Sequence, residues 1–207
     1  MKQLIVQGGP MMWLLVVCGI VALGVFLERL MFFRKVSMNT REWIVGVLGT
    51  IGRGNYEEAL RECATAHGPV ARVAAAVVER HALSWQELDD VAAKSAQIEI
   101  PRLQRHLPLL GAIAVTAPLL GLLGAILGLL PTFQMIHAQG GNATIVDVSG
   151  NVYASLVAVA ASLVVAIPAF AAHSYLVARV NDFIADMERS AIRISMAIRD
   201  QKAGVGA

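Results

Sequence analysis

Two hydroxyl groups stand out in an otherwise apolar part of the chain, those of Ser155 and Ser162. They lie seven residues apart with Val159 between them, so in a helix all three side chains share one face. A hydroxyl on an apolar lining can hold a water molecule or a carboxylate from another chain. It can equally bond back to a carbonyl of its own helix, which is common for a serine within a helix. The sequence leaves both interpretations open.

A second group of residues surrounds a small-residue motif earlier in the chain. Gly121, Gly124 and Gly128 recur at helical spacing, and small residues let helices in lipid approach closely. We therefore predict helix packing at these glycines, and also at Pro168 in the later apolar stretch. Thr116 and Thr132 flank this motif, and Ala125 lies within it.

The polar parts of the chain contain no arrangement typical of an enzyme. Cys63, His81 and His106 are isolated from one another, and none sits in a nucleophile–base pattern or at the spacing of metal ligands. No glycine-rich phosphate loop is present either. We expect no catalytic residue, no metal and no cofactor. A net charge of +2 is too small to suggest nucleic acid as a partner.

The elements that must position these residues are membrane helices. Between Leu107 and Ala178 the only formal charge is that of Asp147, and the segment from Gln3 to Leu27 has none. About 20 apolar residues suffice to cross a bilayer, so we predict an all-α protein with three transmembrane helices and long cytoplasmic helical extensions. The predicted segments are 1–33 (N-terminal end and first span), 34–106 (cytoplasmic helical domain), 107–137 (second span), 138–151 (short outer loop), 152–178 (third span) and 179–207 (cytoplasmic C-terminal helix and tail).

Basic residues predict the orientation of these spans. Arg34 and Lys35 follow the first span and Arg105 precedes the second, whereas 138–150 contains no lysine or arginine. Because cytoplasmic flanks carry the excess of basic residues, we predict a multi-pass membrane protein with an external N-terminus and a cytoplasmic C-terminus. A cleaved signal peptide is the alternative for the first span, but no small-residue cleavage site follows it.

The cytoplasmic segments contain recognisable helix boundaries. Asn55 is placed to cap a helix over Tyr56–Ala66, which Gly68-Pro69 should end. Ser84 and Glu87 have the spacing of a capping box. We expect the helix that begins there to continue into the second span, with possible kinks at Pro101 and Pro108.

With these motifs in place, the chain resembles the ExbB/TolQ/MotA family of ion-driven inner-membrane motors, and most of all its ExbB/TolQ branch. The resemblance is carried by Ile113–Gly128, Phe133 and Val164–Ala169, together with Gly8–Trp13, Glu28-Arg29, Glu58–Leu60, Cys63 and Gly68–Arg72. It implies a location in a bacterial inner membrane, with the N-terminus in the periplasm, and a homopentamer around a central pore. It also implies a single-span ExbD/TolR-like partner, as a dimer in that pore, and proton-driven force sent to the cell envelope. The candidate ion-pathway residues under this resemblance are Ala125, Ser155, Val159, Ser162, Thr116 and Thr132.

The chain departs from the family pattern at positions that matter for ion conduction. Ala125 and Val159 stand where the family usually has threonines, Ser162 where it has a glycine, and Ala154 where it has a glutamate. Two functions therefore remain open. The first is the energising, pore-forming subunit of a proton-driven motor, in which Ser155 and Ser162 take the place of the lost hydroxyls. The second is a non-conducting oligomeric scaffold that holds the same kind of partner.

Overall fold

The computed structural model describes residues 9–36, 40–66, 68–138 and 145–205. Every regular element in these ranges is a helix, as predicted. The helices are α1 (Gly9–Val36), α2 (Thr40–Gly52), α3 (Tyr56–Thr65), α4 (Pro69–Glu79), α5 (Trp85–Gln104), α6 (Leu107–Ala138) and α7 (Ile145–Val205). Residues 139–144 of the predicted outer loop, and the side chain of Asp147, lie outside the described part.

The chain divides into two compact units. The first, here called the membrane unit, comprises residues 1–28 and 106–175, and the second, the polar unit, comprises 29–105 and 176–207. Helices α1 and α7 contribute residues to both units. The predicted spans fall within α1, α6 and α7, and each of these helices is long and apolar enough to cross a bilayer.

The membrane unit has a thin core and an apolar exterior. Leu15, Ala117 and Ala166 form its buried cluster, one residue from each of its three helices. Large apolar side chains on the outside of this unit are exposed; Ile20 is 66% exposed and Val164 is 71% exposed. Monomers in water rarely expose apolar surface so widely. This surface is suited to lipid or to other apolar helices.

The polar unit packs short helices around a buried apolar core. Helix α4 contacts both α3 and α5. The buried apolar side chains of this unit include Val73, Val77 and Leu88, and Ile194 and Ile198 of α7. Asn55 caps α3 by accepting a hydrogen bond from the Glu58 N–H, as predicted. The predicted capping box is also present: the Ser84 N–H donates to Glu87 Oε2 at 2.9 Å, and the Glu87 N–H donates to Ser84 Oγ at 3.5 Å.

One predicted connection was wrong. We expected the helix from Ser84 to run on into the second span, but α5 ends at Gln104 and α6 begins at Leu107. His106 lies between them with φ at +66°, in the left-handed region that ends helices. Pro108 explains the restart, because a proline in the first turn of a helix lacks only an N–H that would be unpaired there anyway.

Gly68 also begins a helix rather than only ending one. Helix α3 ends at Thr65, one residue before the predicted boundary, and Gly68 then caps α4 with Pro69 in its first turn. The φ of Gly68 is +148°, a conformation that L side chains rarely adopt. The Gly-Pro pair thus separates two helices that pack against each other.

Candidate functional site

Helices α6 and α7 pack in antiparallel fashion through the predicted glycines. A Cβ added at Gly128 would lie 2.6 Å from Ser155 Oγ, and one added at Gly121 would overlap both the Cβ and the Oγ of Ser162. Gly124 is less crowded, since its added Cβ would be 3.5 Å from the Cβ of Ala158. At two positions along this contact a glycine of α6 faces a serine of α7. We call the contact the glycine–serine seam.

Both serine hydroxyls of the seam are bonded to their own helix. Ser155 Oγ donates to the Asn151 carbonyl at 2.8 Å, and Ser162 Oγ donates to the Val159 carbonyl at 2.7 Å. Both side chains are buried. Each oxygen keeps lone pairs that could accept a further hydrogen bond, but the donated proton is already used within the chain.

Thr132 differs from the two serines. Its side chain is buried, with 3% of the residue exposed, and its Oγ1 has no hydrogen-bond partner among the described residues. The register of the seam places Asn151, which is half-buried, opposite it, one turn beyond the Gly128–Ser155 contact. The sequence analysis did not single out Asn151. Its spacing of four residues from Ser155 was the available signal.

The other candidate residues lie in different surroundings. Ala125 and Val159 are half-buried, and Thr116 is exposed on α6. Pro168 is exposed and lines an apolar groove of about 610 Å³ between α1 and α7, together with Gly19 and Tyr175. Pore lining by Ala125, Val159 and Thr116, and helix packing at Pro168, stay predictions, because both depend on other chains.

Two histidines lie at the opposite end of the membrane unit from Thr132. The His173 ring packs against Gly111, where an added Cβ would be 2.9 Å from Nε2. His106 Nδ1 lies 3.2 Å from Glu28 Oε2, so a protonated His106 forms an ion pair between the α5–α6 break and α1. Neither histidine belongs to a metal-binding cluster within the described residues.

Comparison with known proteins gives these features a context. The pattern of the MotA/TolQ/ExbB proton channel family matches residues 65–189, which include all of α6 and the membrane-unit part of α7. The chain belongs to the MotA/TolQ/ExbB proton channel family. The resemblance seen in the sequence is thereby confirmed, and the chain is a multi-pass membrane protein.

Individual relatives of this family member carry transport names. A "Putative biopolymer transport protein ExbB homolog" from Methanothermobacter thermautotrophicus is 28% identical over 183 residues, covering 88% of this chain and 64% of the relative. "Biopolymer transport protein exbB1" from Vibrio cholerae is 28% identical over 205 residues, covering 92% and 85%. A "Putative biopolymer transport protein ExbB-like 3" from Synechocystis is 29% identical over 150 residues, covering 72% and 71%. The chain therefore spans less than two thirds of the first of these relatives.

The apolar stretches of this family member contain almost no acidic residue. From Leu107 to Val146 and from Val148 to Ala178 the sequence contains no aspartate or glutamate, and Glu28 lies near the end of the first apolar stretch. Within those two stretches the chain itself therefore offers no carboxylate that could take up and release a proton in mid-membrane.

Proposed function

We propose that this chain is the pore-forming, energising subunit of a proton-driven motor in a bacterial inner membrane. The observation that carries the proposal is the family match over residues 65–189, in which α6 and α7 pack closely through the glycine–serine seam. Close packing of this kind makes a rigid wall, and a rigid wall is what a helix moving inside a pore requires. The names of the relatives point to transport as the driven process.

The missing acid defines the partner. Since Leu107–Val146 and Val148–Ala178 contain no aspartate or glutamate, the titrating carboxylate comes from a single-span ExbD/TolR-like protein in this proposal. We propose a homopentamer with two such partner helices in its pore. Large open side chains such as Leu119, Leu122 and Ile167 give the membrane unit the apolar surface that such an assembly would bury.

A non-conducting scaffold is the second candidate, and specific observations favour it. Ala125 and Val159 offer no polar atom, and the hydroxyls of Ser155 and Ser162 donate to carbonyls of their own helix. A pore lined in this way would offer no free polar group to a proton unless the partner supplied one. The same pentamer would then hold its partner without passing ions.

The deciding experiment measures proton flux through the native complex. The chain is tagged, isolated from its native membrane with whatever single-span protein accompanies it, and placed in liposomes with a pH-sensitive dye and an imposed potential. We expect flux, and we expect Val159→Thr to maintain or raise it. Val164→Thr is the matched control, because Val164 is exposed on the same helix. A complex that contains the partner but passes no protons, with or without Val159→Thr, would favour the scaffold.

Orientation is tested separately. Reporter fusions after Gln139 should face the periplasm, while fusions after Gly68 and after Lys202 should face the cytoplasm, as the basic flanks predict. Cytoplasmic reporter activity at Gln139 would contradict the proposed topology, and the family assignment would be unaffected.

A further inference from the structure

The Thr132 hydroxyl is the polar group in the membrane unit that most needs an explanation. A threonine within a helix normally donates to a carbonyl one turn earlier, as Ser155 and Ser162 do here. Thr132 makes no such bond, although its oxygen is buried. Leaving a buried hydroxyl unpaired is energetically costly. An unpaired oxygen at this place therefore indicates that something outside the described residues binds it.

The surroundings of Thr132 indicate what that ligand is. Asn151 lies opposite on α7 by the register of the seam, and its amide group can both donate and accept. Thr132 precedes the end of α6 by six residues and Asn151 follows the start of α7 by six, so each lies about 9 Å inside the helix pair. A small ligand that donates and accepts hydrogen bonds, and that can enter from the nearby helix ends, matches this position.

We propose that Thr132 and Asn151 form a binding site for a water molecule, and that this water is one of those along which protons move. A buried water needs two to four polar partners, and the hydroxyl and the amide supply them. The role in proton movement rests on the proposed function. The side chains of Ala125 and Val159 offer no hydrogen-bonding atom to a proton pathway, and this water would supply one. It would lie at the end of the seam where α6 ends and α7 begins.

The binding site itself is tested by thermal unfolding of the native complex. Thr132→Val keeps the shape of the side chain and removes the hydroxyl, and Thr65→Val makes the same change at an exposed position of α3 in the polar unit. If water is bound, Thr132→Val lowers the unfolding temperature, Thr65→Val leaves it unchanged, and Thr132→Ser keeps most of the parent stability. If the hydroxyl is dry, Thr132→Val is as stable as the parent or more stable, and the proposal is overturned.

The role in conduction is tested by flux through the same preparations. We expect Thr132→Val and Asn151→Leu to lower proton flux several-fold, while Thr65→Val conducts like the parent. The two changes together should lower flux little more than either alone, because both remove the same water. Loss of stability without any loss of flux would overturn the role in conduction. A parent complex without flux would overturn the proposed function instead, and the unfolding comparison would then decide the water site alone.

Discussion

The glycine–serine seam makes a quantitative prediction about single methyl groups. Gly128→Ala places a Cβ 2.6 Å from Ser155 Oγ, which is closer than real side chains approach. Either the helices separate or Ser155 rotates and loses its hydrogen bond to the Asn151 carbonyl. Overpacking of this kind costs about 1–3 kcal/mol. Alanine also favours the helix over glycine by about 1 kcal/mol, so the cost must be measured against a glycine in open space.

Gly24 provides that reference, because no atom of the neighbouring structure lies within 4 Å of a Cβ added there. Gly24→Ala should therefore show the gain from helix propensity alone. Relative to it, Gly128→Ala should lower the free energy of unfolding by about 1–3 kcal/mol. The measurement is thermal unfolding of the purified protein in nanodiscs.

A second change separates the clash from other causes. Ser155→Ala removes the Oγ and leaves only the Cβ, 3.6 Å from the added methyl group, which is an ordinary contact. The pair Gly128→Ala with Ser155→Ala should therefore recover most of the lost stability. The corresponding pair Gly121→Ala with Ser162→Ala should not, because there the Cβ of residue 162 itself overlaps the added group. Equal recovery at both positions, or a Gly128→Ala protein as stable as Gly24→Ala, would refute this packing.

Three further predictions concern the polar unit. Arg72→Met should lower the unfolding temperature, because the buried carboxylate of Glu99 loses the Arg72 guanidinium at 2.5 Å and keeps only that of Arg102 at 2.8 Å; an unchanged temperature would contradict a stabilising ion pair between α4 and α5. Burial, and then the charge of a neighbouring carboxylate, raises the pKa of Cys63 from 9.0 to about 11. Thiol reagents should therefore leave Cys63 intact at pH 8 until the protein unfolds, and its contribution to stability should be complete below pH 9 and decline as the pH rises through about 11. Hydrogen bonds from Ser84 lower the pKa of Glu87 below its usual 4.5, so Glu87→Gln should destabilise the protein at neutral pH, and the difference should vanish as the pH falls through that lowered pKa.

Features fixed by local sequence were predictable. The three apolar helices follow from runs of residues without charge, since burying charge in lipid is costly at every position along a run. The Asn55 cap and the capping box of Ser84 and Glu87 follow from side chains that reach backbone groups three residues away. Helix α6 ends at Ala138, one residue from the predicted boundary.

Features that depend on residues far apart in the sequence were not predictable. The sequence placed Ser155 and Ser162 on one helical face but left open whether that face meets another chain or the glycines of α6. The register that brings Gly128 against Ser155 came only from the fold. The same register pairs Asn151 with Thr132 across the two helices, which the spacing of Asn151 from Ser155 along α7 could not show by itself. Hydrophobicity and capping act within a few residues, so the sequence alone decided which segments become helices. Which side chains meet across two helices depends on how the whole surfaces fit, and the tertiary structure alone decided it.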